Sequence, residues 1–254
     1  MKNPKTTSWG KVAKWYDNLL EENDDTYQTK VILPNLLRIL DLKKEEKVID
    51  IACGQGFFTR IFKEAGASPT GADISTELIS IAKEKSNKDI PFYVSPSHKL
   101  NFAQNETYDT AVVVLAIQNI EKMDETFAEV RRILSKNGRM ILVLNHPAFR
   151  IPKTSSWGYD EKSQTQYRRV DKYLSDSKVI IDMHPGVKNS EKTISYHRSL
   201  QNISKCLFKN GFAISKLEEW ISHRTSEKGI RQKAEDTARK EIPLFMAVEV
   251  RRLG

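Results

Sequence analysis

The sequence predicts an α/β protein built on a doubly wound, largely parallel sheet. Three observations carry that expectation. The run Val48-Ile49-Asp50-Ile51-Ala52-Cys53-Gly54-Gln55-Gly56-Phe57-Phe58-Thr59-Arg60 passes from a buried-strand pattern through two glycines into a helical one. Strand-like and helix-like stretches then alternate as far as residue 145. The length of 254 residues, with 39% hydrophobic content, suits one large domain, with or without a lid.

Composition narrows the class. The formal net charge is +8, an excess that suits a nucleic-acid or acidic-ligand partner. The lysines are nevertheless interleaved with glutamates, as in Lys43-Lys44-Glu45-Glu46-Lys47, and such mixing reads first as a solubilising surface. No run of 18 or more apolar residues occurs, so no membrane span is expected. Met1 to Gly10 carries lysines without an apolar run and is not read as a signal peptide. Cys53 and Cys206 are too few for a disulfide scaffold and are not spaced for metal. A reducing cytoplasm is the expected compartment. No metal is expected either, because no tight His, Asp and Glu cluster stands in the sequence.

The central run brings main chain close to a nucleotide-like ligand. Gly54 is free to take strained dihedrals, Gly56 puts no Cβ in the way, and the first amides of the following helix can face a carboxylate or phosphate. A dinucleotide site requires G-x-G-x-x-G, but Thr59 stands where the third glycine belongs. No G-x-x-x-x-G-K-[ST] phosphate loop exists. What remains is an acid followed by alternating small residues and glycines, with a second acid closing the next strand. Asp50, Ala52, Gly54 and Gly56 fit it, with Asp73 in Gly71-Ala72-Asp73-Ile74-Ser75. A glycine pair alone would read as an ordinary strand–helix turn; the placing of Asp73 adds the second landmark. These residues resemble the first two motifs of the class I S-adenosylmethionine-dependent methyltransferases, with Ala52 where glycine is common. The resemblance implies a Rossmann-like, seven-stranded sheet whose last strand is antiparallel. It also implies S-adenosyl-L-methionine as cofactor and S-adenosyl-L-homocysteine as product.

In chain order, residues 9–22 place Trp9, Val12, Ala13, Trp15, Tyr16, Leu19 and Leu20 at helical spacing. The string VAKWYDNLL resembles the family's N-terminal helix, which makes Tyr16 a candidate to close over the methionine end of the cofactor; a core aromatic is the competing reading. Polar residues 23–27 lead to a second helix, 28–40, with Pro34 near its start. Residues 1–42 are expected to form a helical cap and 43–254 the methyltransferase domain. The first strand is expected at 47–52 with its helix at 57–66, and the second strand at 69–73 with a helix at 76–86 behind Ser75 as N-cap. Asp73 then stands at the carboxyl end of a strand, where a carboxylate can accept two hydrogen bonds from ribose hydroxyls. Ile74 lies beside it. A third strand is expected at 90–94. In the family the loop after it often holds an Asp for the adenine amino group; here Pro96 occupies that place, leaving Ser97 and His98 as substitutes. The fourth strand, 108–115, runs into Ala116-Ile117-Gln118-Asn119-Ile120. By resemblance this segment lies beneath the methionine part, and Leu115 and Asn119 join the cofactor candidates.

A helix at 123–134 and a turn at Asn137-Gly138 precede the fifth strand. Residues 146–198 lack the strand–helix rhythm and read as an insertion, either a substrate lid or a stabilising cap, with short strands at 179–183 and 193–196. A helix at 199–210 closed by Gly211, a strand at 212–219, a charged stretch at 223–241 that is helix-like or mobile, and a strand at 244–250 complete the chain.

Methyl transfer from a sulfonium is an in-line displacement, so alignment of acceptor and methyl is the main demand on the protein. An oxygen or nitrogen acceptor also calls for proton removal. His146, directly after the fifth strand, is the first candidate base and His197 the second; His184 is weaker and Tyr159 is a polar positioner, although a lone His is more often structural. The expected activity is methyl transfer to a small-molecule acceptor, at O, N or C, in a lidded pocket. The alternative is an RNA or DNA methyltransferase, motivated by the basic charge. Against it, residues 116–120 lack a [DNS]-P-P-[FYW] string, neither cysteine is placed as a nucleophile, and no nucleic-acid module is appended. A noncatalytic scaffold is the third reading, and the intact Asp50, Gly54, Gly56 and Asp73 argue against it.

Overall fold

The computed structural model describes residues 7–21, 24–184, 188 and 190–254. Most of the N-terminal stretch, the expected helix end at Glu22, Asn23 of the polar linker, and 185–187 and 189 of the insertion lie outside the described residues. The expected first helix divides at Val12 into α1 (Ser8–Lys11) and α2 (Ala13–Glu21). The second opens with a π-turn, Gln28–Ile32, and continues as α3 (Leu33–Leu40). Pro34 accounts for the wide turn, because it has no N–H for the carbonyl one helical turn back. In the same turn the side-chain amide of Asn35 donates to the Val31 carbonyl at 2.9 Å.

The strands and helices then follow as β1 (Lys47–Ile51), α4 (Phe57–Glu64), β2 (Ser68–Asp73), α5 (Thr76–Lys85), β3 (Phe92–Val94), β4 (Tyr108–Val114), α6 (Met123–Ile133) and β5 (Leu134–Asn145). Two hairpins come next, β6 (Ser155–Asp160) with β7 (Thr165–Val170) and β8 (Ser177–Asp182) with β9 (Lys192–His197). The chain closes with α7 (Leu200–Lys209), β10 (Phe212–Trp220), α8 (Gln232–Glu241) and β11 (Phe245–Arg252). The main sheet has seven strands in the order β10-β11-β5-β4-β1-β2-β3, and β11 runs antiparallel to both of its neighbours. This is the expected Rossmann-like topology.

Period-two alternation sorts the core onto the two faces of this sheet. Ile49, Ile51, Ala111, Val113, Met140 and Leu142 join one cluster, packed with Phe127 and Ile133 of α6 and Ile203 and Leu207 of α7. Val48, Val112, Ile141, Val143 and Ala247 join the other, packed with α3 and with Phe58 and Phe62 of α4. Phe127 is fully buried. Phe127→Ala is expected to cost about 3–5 kcal/mol, read as a lowered midpoint in chemical denaturation.

In three places the structure refines or adds to the expectations. The Asn137-Gly138 turn does not precede β5 but lies inside it: the pairing jumps from Tyr108–Leu134 to Thr110–Arg139, so residues 135–138 bulge out of one continuous strand. The hairpin β6–β7 was not anticipated, since no Asn-Gly or Asp-Gly signal marks its turn. Asp160 closes that turn, its carboxylate accepting from the Lys162 amide at 3.0 Å and the Ser163 hydroxyl at 2.6 Å. Gly158 lets the ring of Tyr167, its cross-strand partner, lie close over the backbone; a Cβ there would make the ring shift. In the charged stretch, regular helix begins only at Gln232.

Candidate functional site

The order of connection reverses between β1 and β4, which is where open α/β sheets hold ligands at their carboxyl edges. The turn after β1 is tightly coiled: Ala52 (φ 58°), Gly54 (φ 58°) and Gly56 (φ 81°) all lie in the left-handed region. At Gly56 a Cβ would press on the Phe92 ring at 3.0 Å and on Ala82 at 3.2 Å. Ala52 holds its conformation against steric resistance. Ala52→Gly is therefore expected to stabilise the fold by up to about 1 kcal/mol, the relief of strain being partly offset by a more flexible unfolded chain. Thermal unfolding checks this.

The two acids pin the turn as well as lining it. Asp73 accepts from the amide of Gly54 at 3.0 Å and from that of Ser75 at 2.8 Å. Thr59, the residue that spoils the dinucleotide pattern, donates its hydroxyl to Asp50 at 2.6 Å. Burial pushes the Asp50 carboxyl up to about 7, with the charge of Asp73 adding to the effect, and burial raises Asp73 as well. Burial, then Asp73, pushes the Tyr16 phenol up to about 12. Burial also raises Cys53, and brings Cys206 to about 11, so both thiols stay protonated at neutral pH. Among the described residues, no three His, Cys, Asp or Glu side chains gather as a metal site, and no helix is long and apolar enough to cross a membrane.

Three adjoining chambers occupy the crevice. The first, of about 820 Å³, is lined by Tyr16, Asp50, Ala52, Gly54, Asp73, Ile74, Leu115 and Asn119 from the sequence expectations. Trp9, Phe57, Phe58, Leu78 and Val114 also line it, and these sequence reasoning missed. The second, of about 700 Å³, shares Ala52, Asp73, Ile74 and Asn119 and adds Ser97 and His98. The third, of about 1100 Å³, shares Trp9, Tyr16, Leu115 and Asn119 with the first. Its outer wall comes largely from the insertion, including Arg150, Lys153, Arg168, Met183 and Ser195. The N-terminal segment seals the first chamber at α1, where Gly10 packs so closely on Ser75 and Glu77 at the start of α5 that a Cβ would clash.

Several candidates stand elsewhere. Gly56 caps α4 and does not line a chamber. His146 is buried; its Nδ1 accepts from the amides of Ala148 and Phe149 at 3.2 and 3.3 Å, so Nε2 donates to Glu219 at 2.6 Å. Both nitrogens are thus committed to folding the segment after β5. His197 is buried with Nε2 2.8 Å from the Tyr173 carbonyl, and borders a cavity of about 440 Å³ that shares Gln118, Asn145, Arg150, Pro152 and Ser195 with the third chamber. Tyr159 lies on β6 beneath the Arg231 guanidinium, 4.3 Å from its ring centre. None of the three lines the acid-bearing chambers or the cavity beside them. His184 stacks on Trp15 at 4.5 Å. Asn119 donates to the Ile194 carbonyl at 3.1 Å, tying the loop after β4 to β9.

Comparison with known proteins agrees with this geometry. Residues 49–142 match the family model described as "Methyltransferase domain". A demethylmenaquinone methyltransferase of Thermotoga maritima is 30% identical over 138 residues, covering 52% of this chain and 58% of that protein. An uncharacterised protein of Methanocaldococcus jannaschii is 30% identical over 135 residues, covering 52% of this chain and 51% of its own length. The chain thus spans about half the length of these curated relatives. The crystal structure of a S-adenosylmethionine dependent methyltransferase from Mesorhizobium loti superposes with a TM-score of 0.68 at 25% identity, covering 90% of this chain and 99% of that one.

Proposed function

We propose, from the premise that the chain is a class I S-adenosylmethionine-dependent methyltransferase, that it transfers the methyl group to a small-molecule acceptor enclosed beneath residues 146–198. One observation carries the reading: the cavity walled by the insertion shares Trp9, Tyr16, Leu115 and Asn119 with the acid-bearing chamber. An acceptor there would face the methionine end of a cofactor seated across Asp50 and Asp73.

The residues present suit that cofactor. Asp73 accepts from the amides of Gly54 and Ser75 on different oxygens, and the two oxygens of a carboxylate offer about four lone-pair sites, which leaves room for a ribose hydroxyl. Two carboxyls raised by burial are at rest beside a cation, which lowers the cost of ionising them. We assign Ser97 and His98 to the adenine side, and Tyr16, Leu115 and Asn119 to the methionine side. When bound, S-adenosylmethionine supplies an electrophilic methyl on a sulfonium leaving group. The chain contributes alignment, exclusion of water by Trp9 and Tyr16, and a wall against the acceptor. Since His146, His197 and Tyr159 line neither the acid-bearing chambers nor the cavity beneath the insertion, no proton transfer is assigned to them. The domain division carries over as part of the proposal, with 1–42 as cap, 43–254 as catalytic domain and 146–198 as lid. The free, protonated cysteines support a reducing, cytoplasmic setting.

Methyl-labelled S-adenosylmethionine, offered with a deproteinised small-molecule extract and separately with total RNA, tests the reading. Label is expected in the low-molecular-weight fraction. Label confined to RNA would establish the nucleic-acid alternative.

A further inference from the structure

The geometry points to an acceptor that carries an oxyanion, a carboxylate or phosphate, remote from its reacting atom and held by Arg150, Arg168 and Arg239. This deepens the methyl-transfer reading and rests on it.

A cavity of about 660 Å³ adjoins the acceptor cavity across a shared wall made of Arg150 and Arg168. Arg239 lines it too, with Tyr27, Trp157 and Ser222 among the remaining residues, and no carboxylate among the described residues lines it. The acceptor cavity itself has one carboxylate, the exposed Asp182. Three arginines thus line one space, with no carboxylate beside them among the described residues that line it. Several other arginines do meet carboxylates, as in Arg38–Glu218, Arg132–Glu129 and Arg252–Glu106.

The three are held in place with donors to spare. Arg168 donates Nε to the Phe149 carbonyl and Nη2 to the Ser155 hydroxyl, both at 2.7 Å, and lies 5.1 Å from the centre of the Trp157 ring. Arg239 donates Nε to Ser226 at 3.0 Å. Arg150 lies 5.2 Å from the centre of the Phe245 ring, and its guanidinium has no hydrogen-bond or ionic partner among the described residues. A guanidinium has five donors in a planar fork that matches two oxygens of a carboxylate or phosphate. Burial lowers the pKa of both Arg150 and Arg168, and the charge of Arg168 adds to the cost at Arg150, so an anion beside them offsets that cost. Because these two side chains face the acceptor cavity as well, one ligand can span both spaces.

The test is titration with inorganic phosphate and with succinate at constant ionic strength, followed by ligand NMR, on the wild type and on Arg150→Met, Arg168→Met and Arg169→Met. Arg169 is exposed and paired with Asp171, so it controls for loss of charge alone. Calorimetry with S-adenosylhomocysteine runs alongside. Binding of either anion is expected, weakened roughly ten- to a hundredfold by Arg150→Met or Arg168→Met and unchanged by Arg169→Met, with S-adenosylhomocysteine affinity unchanged throughout. Preference for phosphate or succinate identifies which oxyanion the acceptor bears. Failure of both anions to bind while S-adenosylhomocysteine binds overturns this inference alone; loss of S-adenosylhomocysteine binding to the wild type overturns the methyl-transfer reading. Competition between phosphate and S-adenosylhomocysteine would move the anion to the cofactor chamber. Displacement of phosphate by a single-stranded oligonucleotide with a steep salt slope would mark a nucleic-acid contact instead.

Discussion

Asp73→Ala is expected to lower the affinity for S-adenosylhomocysteine by about a hundredfold, near 3 kcal/mol. Its carboxylate sits at the end of β2, 7% exposed, facing both the first and second chambers. Removing it deletes two charged acceptors for a ribose and releases the amides of Gly54 and Ser75. The second effect lowers stability too, so the alanine variant is read together with Asp73→Asn. Asparagine keeps one acceptor oxygen and replaces the other with a donor facing an amide, and is expected to lose about tenfold. Calorimetric titration, with circular dichroism to confirm folding, separates the two contributions. Equal affinity in wild type and both variants would end the ribose assignment for Asp73.

Cofactor affinity is expected to climb with pH up to about 7 and then level off. The Asp50 carboxyl, ordinarily at 3.8, is raised to about 7 in the fold. Below that value it is protonated and gives a cationic ligand nothing to pair with. Where the proton must leave for binding, affinity changes by up to about tenfold per pH unit. Asp73, raised by burial as well, acts in the same direction. Stability without ligand runs the opposite way. Between about pH 4 and 7 the unfolded chain has released the proton that folded Asp50 retains, so this group's contribution falls as pH rises and is constant above 7. Calorimetry and denaturation from about pH 5 to 8 test both slopes, and Asp50→Asn is expected to flatten them. An affinity independent of pH in the wild type would remove Asp50 from the cofactor's electrostatics.

The parts of the fold legible in the sequence were those written in local patterns. The strand, glycine turn and helix from Val48 to Arg60, and the acid closing the next strand, depend on periodicity and on residues whose backbone preferences are strong. Asp50, Gly54 and Asp73 were therefore readable together, and the family resemblance supplied the antiparallel last strand. Residues brought in from a distance left no such mark. Trp9 lines the first chamber because Gly10 lets α1 rest on α5, a contact between segments far apart in the chain. His146 follows β5 directly and so suggested a base, but whether an imidazole faces a cavity depends on which partners its nitrogens find, here Glu219 and two amides. The arginine cluster was equally hidden. Arg150 lies in the loop after β5, Arg168 on β7 and Arg239 on α8, and among scattered basic residues only the fold shows that these three line one cavity.

The wall common to the first chamber and the acceptor cavity has a thermodynamic corollary. Four side chains, Trp9, Tyr16, Leu115 and Asn119, face both spaces, so whatever settles them around one occupant alters the berth offered to the other. On the proposed function such cross-talk would be bound by reciprocity: the factor by which a nucleoside sharpened the grip on an acceptor would be the factor by which the acceptor sharpened the grip on the nucleoside.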